Sequence, residues 1–331
     1  MRKVKWGVLG AANIAFNEVV PAIRRSEQGE VIAVASRNKE KAERFNVPTI
    51  YGSYDELLND KAIDAVYIPL PNAFHKEWVV KAMNKKKHVL VEKPATLTAK
   101  DMEEIIESAN ENNVVFMEAF MYQFHSQHTY VKDLLKSGEI GDFLHIKAHF
   151  SFKLDDEKDI RLNQDLGGGA IWDIGCYGIH AVTQVVEMKP VHVSTIGKTS
   201  DKHHVDLTSV SLFTDEQKRT AEVSASFEGS FTDRYEIFGE KGTIRVESAF
   251  RPDVSKDGKG IVKVLNHDGH VLHEKVFDDD QYLNQMEHIQ ECILEGKQPN
   301  YDAKKSLQVI TCIESAYESL QNSSKIVTFK L

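Results

Sequence analysis

Two domains of different texture are predicted by the sequence: a doubly wound α/β domain with a parallel sheet over residues 1–122, then an α+β domain with a mostly antiparallel sheet over 123–331. Three observations carry this. The chain has 331 residues, and at roughly 100–200 residues per domain that length favours two. From Val4 to about Met121, short apolar runs alternate with helix-like segments, the pattern of parallel βαβ units. Beyond about Gln123, strand-like runs with period-two alternation take over.

In order, VKWGVLG, EVIAVAS, AIDAVYIPL, KHVLVEK and VVFMEAF read as strands apolar on both faces, as buried parallel strands are. Between them Asn38 to Phe45 reads as a helix. Thr98, with Asp101 three residues on, caps another. In the second half a helix near Val131–Lys136 stops at Ser137-Gly138, and LHIKAHFSF, HVSTIGKTS, TSVSLFT and TAEVSASFEG follow as strands. GGGAIWDIGCYGIHAVTQVVEM interrupts them as a glycine turn entering a helix, and YLNQMEHIQECILEG and AKKSLQVITCIESAYESLQ supply two late helices. Val223, Ala225 and Phe227 alternate in one strand, and helices cover only one face of such a sheet. The broad face left over, or its apolar opposite, predicts at least a homodimer through the second domain.

Composition excludes several classes. Apolar residues make up 41% and charged residues 27%, which suits a globular chain and not a disordered one. With 41 Lys and Arg against 50 Asp and Glu, the net charge of -9 repels a phosphate backbone, so nucleic acid is not an expected partner. Cys176, Cys292 and Cys312 have no C-x-x-C spacing, which argues against a disulfide framework or a zinc site and for a reducing cytoplasm. The N-terminal MRKVKWGVLGAANIAF carries Asn13, Asn17 and Glu18 and is not read as an export signal; no apolar run approaches the roughly 20 residues of a membrane span.

The strongest local motif is Gly10-Ala11-Ala12-Asn13-Ile14-Ala15, at the end of the first strand and the start of a helix. It resembles G-x-G-x-x-G/A without its middle glycine. Gly10 allows the tight turn, Ala12 stands where the backbone meets a pyrophosphate, Ala15 permits close helix packing, and the helix N-terminus offers amides. The alternative is a purely structural βα turn. At the tip of the second strand stands Ser36-Arg37-Asn38-Lys39, whereas Glu30, 20 residues after Gly10, begins that strand. Arg37, with Ser36 and Lys41, therefore points to the 2′-phosphate of NADP, NAD being the alternative cofactor, unless the loop is only a solvated basic tip. Leu70, Asn72 and His75 follow one strand and Glu92 and Lys93 end another, at the same sheet edge. All five join the expected cofactor-binding set, although His75 also reads as a mere helix-start residue. Finally Asp173, Tyr177 and His180, spaced i, i+4, i+7, share a helix face: a carboxylate, a phenol and an imidazole able to handle protons, or a polar face near solvent.

Taken together, WGVLGAANIA, VASRNKEKAERF, PNAFHKEWVVKAMNKKKHVLVEKP, MEAFMYQFHSQ, GGGAIWDIGCYGIHAV and YEIFGEKGTIRV resemble the glucose-fructose oxidoreductase and inositol dehydrogenase family, Gfo/Idh/MocA, over nearly the whole chain. The subgroup resembled most, with Tyr four residues after the Asp, is that of glucose-fructose oxidoreductase and dimeric dihydrodiol dehydrogenase. The resemblance implies a Rossmann domain joined to an α+β domain whose large open sheet mediates dimers. It implies hydride transfer between NADP and a secondary alcohol or ketone of a sugar, polyol or cyclic diol. Lys93 and Tyr177 would lie beside the nicotinamide and the reacting carbon, with Asp173 near. A free phenol, with its pKa of about 10, is a poor base at neutral pH; a neighbouring ammonium favours phenolate, so Lys93 either activates Tyr177 or holds the substrate oxygen itself. Gln123 and Ser126 stand where relatives often have Arg and Pro. Arg161 either binds a hydroxyl or pairs with Asp165. A dinucleotide-sensing regulator without catalysis is the alternative function.

Overall fold

The computed structural model describes residues 2–331 and divides into two compact units, each taken by itself below. In the first, six strands form a wholly parallel sheet: Val4–Leu9 (β1), Gly29–Ala35 (β2), Thr49–Tyr51 (β3), Ala65–Ile68 (β4), His88–Val91 (β5) and Phe116–Glu118 (β6), in the order β3-β2-β1-β4-β5-β6. The order reverses between β1 and β4, the switch point at which open α/β sheets bind ligands beyond the strands' C-terminal ends. Strands such as β4, AVYI, are buried at every residue because helices cover both faces. Those helices are Val20–Arg25 (α1), Lys39–Glu43 (α2), Tyr54–Asn59 (α3), His75–Asn84 (α4) and Ala99–Asn112 (α5). The caps explain their starts. The Asn38 side chain accepts from Lys41 N, Ser53 forms a capping box with Glu56, and Thr98 accepts from Asp101 N. Ahead of α1 the helix widens into a π-type turn, Ala15–Val19, where Pro21 has no N–H to return to the preceding turn.

The second unit is built on nine strands: Phe143–Ser151 (β7), Pro190–Thr199 (β8), Asp206–Asp215 (β9), Thr220–Ser226 (β10), Thr232–Gly239 (β11), Thr243–Glu247 (β12), Gly260–Leu265 (β13), Val271–Phe277 (β14) and Val327–Thr328 (β15). Their order is β14-β13-β12-β11-β7-β10-β9-β8-β15, antiparallel throughout except for the parallel pair β7–β10. Helix Ser126–Ser137 (α6) ends on Gly138 in the left-handed region, as its Ser-Gly stop predicts. A second helical stretch, residues 171–185, has Cys176–His180 (α7) as its middle turn and lies on one sheet face, where a Cβ on Gly178 would come 2.6 Å from Val223. Val223, Ala225 and Phe227 are accordingly buried in that covered layer. The opposite face is a different surface. It pairs Lys147 with Glu222 and His149 with Ser224, and leaves Ile196, Val210 and Leu212 exposed beside them.

The late helices depart from a division at residue 122. Gln281–Glu295 (α8) returns to pack on α1, β1 and β2, so residues 281–307 belong to the first unit; Ala303–Gln321 (α9) begins in the first unit and ends in the second. The physical reason is apolar demand: α8 buries Tyr282, Met286 and Ile289, and Ser26 hydrogen-bonds Gln290 at 2.6 Å. No helix among the described residues is long and apolar enough to cross a membrane.

Candidate active site

In the first unit the sequence places a turn at the end of β1 and the structure makes it a tight one. Gly10 has φ +108°, and a Cβ there would lie 3.0 Å from the Leu70 side chain, so glycine serves both conformation and space. Ala12 is not among the residues with positive φ, which is why the missing middle glycine does not disturb the turn. Ala15 is fully buried against the sheet, while Ala11, Ala12 and Ile14 are half-buried and Asn13 is exposed. The β2 tip stands at the same C-terminal edge. Ser36 Oγ accepts from Asn38 N at 3.1 Å, Arg37 and Lys41 are exposed, and the Arg37 charge partly offsets the rise that burial gives the Tyr54 pKa. Glu30 pairs with Lys5 in register at the opposite end of β2.

Arg44, which the sequence reading passed over, belongs with this group. Its guanidinium donates to Asn13 Oδ1 at 2.9 Å and lies 4.4 Å from the Phe16 ring centre, so it braces the glycine turn from the side. Its signal was position: it caps the C-terminus of α2, one short helix beyond the β2 tip.

Beyond β4 and β5 the chain builds a second rim of the same edge. Leu70 and Asn72 are half-buried there, and so are Glu92 and Lys93, with Tyr67 donating to Glu92 at 2.5 Å. His75 stands apart from the rest of the expected cofactor set. It is wholly buried, with Nδ1 2.7 Å from Pro94 O and Nε2 2.7 Å from Leu70 O, and burial pushes its pKa down to about 4. A neutral ring donates to one of these carbonyls, and neither nitrogen faces solvent; His75 braces the rim instead of meeting a ligand. Beneath it Glu118, also unforeseen, accepts from Ala95 N at 2.7 Å and from the Tyr301 hydroxyl at 3.0 Å. Burial pushes its carboxyl up to about 7, with hydrogen bonds and the Lys93 charge pulling the other way.

In the second unit the glycine turn is tied to the segment before it. Gly168 N donates to Asn163 O and Gly169 N to Arg161 O, each at 2.9 Å, and a Cβ on Gly168 would fall 2.4 Å from Arg161 O. Asp206 then accepts from Ile171 N at 2.8 Å at the head of the helical stretch. Arg161 pairs with Asp173 (Nε to Oδ2, 2.7 Å) and with Asp159 (3.1 Å), not with Asp165, whose N–H goes to Asn163. The Asp173 carboxylate, with a smaller part from Asp159, raises the Arg161 pKa further, so the guanidinium keeps its charge at any working pH.

Four residues on, Tyr177 is 5% exposed, its ring against Tyr122, Phe150 and Phe250. His180 also meets Tyr122, with Nδ1 2.6 Å from its hydroxyl, but it is fully buried. The shared face therefore splits. Asp173 turns to Arg161 and remains half-buried, Tyr177 borders the aromatic cluster, and His180 belongs to the core, where Tyr122 packs edge-on against His128 and His128 meets the Tyr235 hydroxyl at 2.8 Å. Burial drives the His128 pKa down to about 3 and those of Tyr122 and Tyr235 up, so this cluster keeps its protons fixed near neutrality.

Known proteins resemble the chain over nearly its whole length. A family model described as "Oxidoreductase family, NAD-binding Rossmann fold" matches residues 4–120, and the "GFO/IDH/MocA C-terminal domain" matches 128–245. D-xylose 1-dehydrogenase (NADP(+)) 2 of Haloferax volcanii is 33% identical over 97% of this chain and 98% of its own. The dTDP-3,4-didehydro-2,6-dideoxy-alpha-D-glucose 3-reductase of Saccharopolyspora spinosa is 36% identical over 80% of this chain and 83% of its own. Among solved structures, KijD10, a 3-ketoreductase from Actinomadura kijaniata in complex with NADP and TDP-benzene, superposes with a TM-score of 0.91 at 30% identity, over 96% of this chain and 98% of that one.

Proposed function

The chain belongs to the Gfo/Idh/MocA oxidoreductase family, and from that premise we propose that it is an NADP-dependent dehydrogenase or reductase acting on a secondary alcohol or ketone of a sugar, polyol or cyclic diol. One observation carries the reading. The Gly10 turn, the Ser36-Arg37 tip and the Lys93 rim all follow C-terminal strand ends of one parallel sheet, at its switch point. The residues fit NADP: Gly10, at φ +108°, turns the chain tightly out of β1 so that the Ala12 backbone and the helix start can meet a pyrophosphate, Arg37 is an exposed cation at the β2 tip, and the acidic residue that would select NAD is at the far end of the strand. The relatives named for NADP support the same choice.

When bound, the cofactor supplies the nicotinamide that takes or gives the hydride. The chain's own residues must manage the proton. An alcohol loses its hydroxyl proton as the hydride departs, so a group facing the oxygen must accept it or hold the resulting charge. Lys93 and Tyr177 are the proposed catalytic residues: the ammonium holds the substrate oxygen or activates the phenol, and the phenol passes the proton. Asp173, tied to Arg161, is the proposed third member and orients them. The uncovered face of the second unit's sheet, polar pairs flanked by Ile196, Val210 and Leu212, supports a homodimer closed by two-fold symmetry. Three buried free cysteines support a reducing, cytoplasmic setting.

A panel of aldoses, polyols and cyclic trans-diols, assayed with NADP⁺ and NAD⁺ by absorbance of the reduced nicotinamide, tests the activity. The reading expects turnover of at least one substrate with NADP⁺ preferred. Absence of turnover across the panel, in both directions and with both cofactors, overturns it.

A further inference from the structure

The rim that carries Lys93 is held from within the sheet at three points, each by a wholly buried side chain. Tyr67 donates to Glu92, His75 stands 2.7 Å from Pro94 O, and Glu118 accepts from Ala95 N at 2.7 Å. The last two grip opposite ends of one peptide group, the Pro94 carbonyl and the Ala95 N–H. Lys93 itself is half-buried and sits between two held residues, 92 and 94.

Glu118 is the more informative of these partners. In the sheet it lies in register with Val91, two residues before Lys93. Its two oxygens meet two donors, Ala95 N–H on Oε1 and Tyr301 O–H on Oε2. Two donors aimed at two oxygens favour the ionised carboxylate over the acid and work against the burial that favours its proton. A buried carboxylate is eased by a nearby cation, and the Lys93 charge acts on it in that sense, by less than its hydrogen bonds do. Nothing in the proposed hydride transfer uses this group.

We propose that Glu118 is a positioning residue for Lys93: its carboxylate fixes the peptide that follows Pro94 and supplies the buried counter-charge against which the Lys93 ammonium stands at the sheet edge. For its effect on turnover this rests on the reading of Lys93 as catalytic; for the effect on Lys93 itself it does not. Protonating Glu118 removes the counter-charge, so the environment of Lys93 changes as the carboxyl titrates around pH 7. The groups facing that carboxyl are Lys93 and Ala95 from the rim, Tyr301 from the segment before α9 and Ser306 from α9 itself. His75, across the rim, stays neutral over the same range because burial holds its pKa near 4.

The test is reductive methylation of the full-length protein with ¹³C-formaldehyde, which keeps lysine charge, followed by NMR titration. Absence of the signal in Lys93→Met assigns it. The Lys93 dimethyl resonance is expected to shift with a midpoint near pH 7, and the step is expected to vanish in Glu118→Gln. In Tyr301→Phe, which removes one hydrogen bond from the carboxylate and leaves its charge, the midpoint is expected to move to higher pH. A Lys93 resonance flat between pH 6 and 8, or one titrating identically in both variants, overturns the proposal. Should Glu118→Gln fail to fold, the direction of the Tyr301→Phe shift decides alone. On a substrate found active in the panel, Glu118→Gln is expected to lower kcat by roughly tenfold to a hundredfold with the NADPH dissociation constant unchanged. If Lys93→Met keeps full turnover, the catalytic reading of Lys93 falls, while the resonance still decides the role of Glu118.

Discussion

Arg37 and Arg44 flank the same strand tip but are held differently, and the difference predicts two phenotypes. Arg37 is an exposed cation where a 2′-phosphate would lie, so Arg37→Asp is expected to move the ratio of kcat/KM for NADP over NAD toward NAD by roughly tenfold to more than a hundredfold, the worth of one charge-assisted contact. An unchanged ratio would make it a solvated loop residue. Arg44 spends its guanidinium on Asn13 and Phe16, so Arg44→Ala is expected to weaken both cofactors equally, as separate dissociation constants measured by nicotinamide fluorescence will show. In the second unit Tyr177→Phe keeps the ring in its aromatic surroundings and removes only the hydroxyl. It is expected to lower kcat by roughly a hundredfold to ten-thousandfold, as for loss of an acid–base group.

The turns and caps that carry these side chains act as units. Thr98 caps α5 through Asp101 N at 3.0 Å, and Thr98→Ala is expected to cost about 1 kcal/mol in urea unfolding. Gly168→Ala drives a Cβ to 2.4 Å from Arg161 O, so the glycine turn must shift; about 1–3 kcal/mol of lost stability is expected, with kcat falling further than KM rises if Arg161 lets go of Asp173. Local chemistry of this kind is legible in a sequence. Thr98, Asn38 and the Ser137-Gly138 stop were readable because caps and left-handed glycines act through neighbours in the chain. The three-residue β3 was not, because so short a strand has no pattern of its own and exists by pairing with β2. Nor were the π-type turns at 171–175 and 181–185, which undo the simple i, i+4, i+7 face and send His180 into the core. Glu118 read as an unremarked strand residue and His75 as a cofactor-binding residue or a helix start; only burial and the convergence of β4, β5 and β6 turn them into the supports of Lys93. The return of α8 to the first sheet is likewise a tertiary choice, invisible in an amphipathic pattern that any apolar surface would satisfy.

At the scale of the molecule, buried titratable groups set how stability varies with pH. Glu118 holds its proton up to about pH 7 when folded, against an ordinary 4.5, so its contribution to stability is complete below 4.5 and is lost as pH rises through 7. Glu118→Gln cannot ionise. Its stability relative to the unsubstituted protein is therefore expected to improve by about 3 kcal/mol between pH 4 and pH 8, whatever constant offset the lost hydrogen bond adds; urea unfolding at the two pH values measures it. Sedimentation at micromolar concentration tests assembly. A species of about twice 37.4 kDa is expected, dissociated by charged residues placed at Ile196 and Leu212, and a lone 37.4 kDa species would contradict the dimer.

Lys93 is the residue on which the proposed proton handling most depends. The most direct measurement is NADPH formation by the purified protein from NADP⁺ and the sugar and polyol panel, run beside Lys93→Met. The account predicts that the unsubstituted protein reduces NADP⁺ with at least one substrate, and that Lys93→Met loses that turnover even at saturating NADP⁺. Turnover retained by Lys93→Met, or none by the unsubstituted protein in either direction, contradicts it.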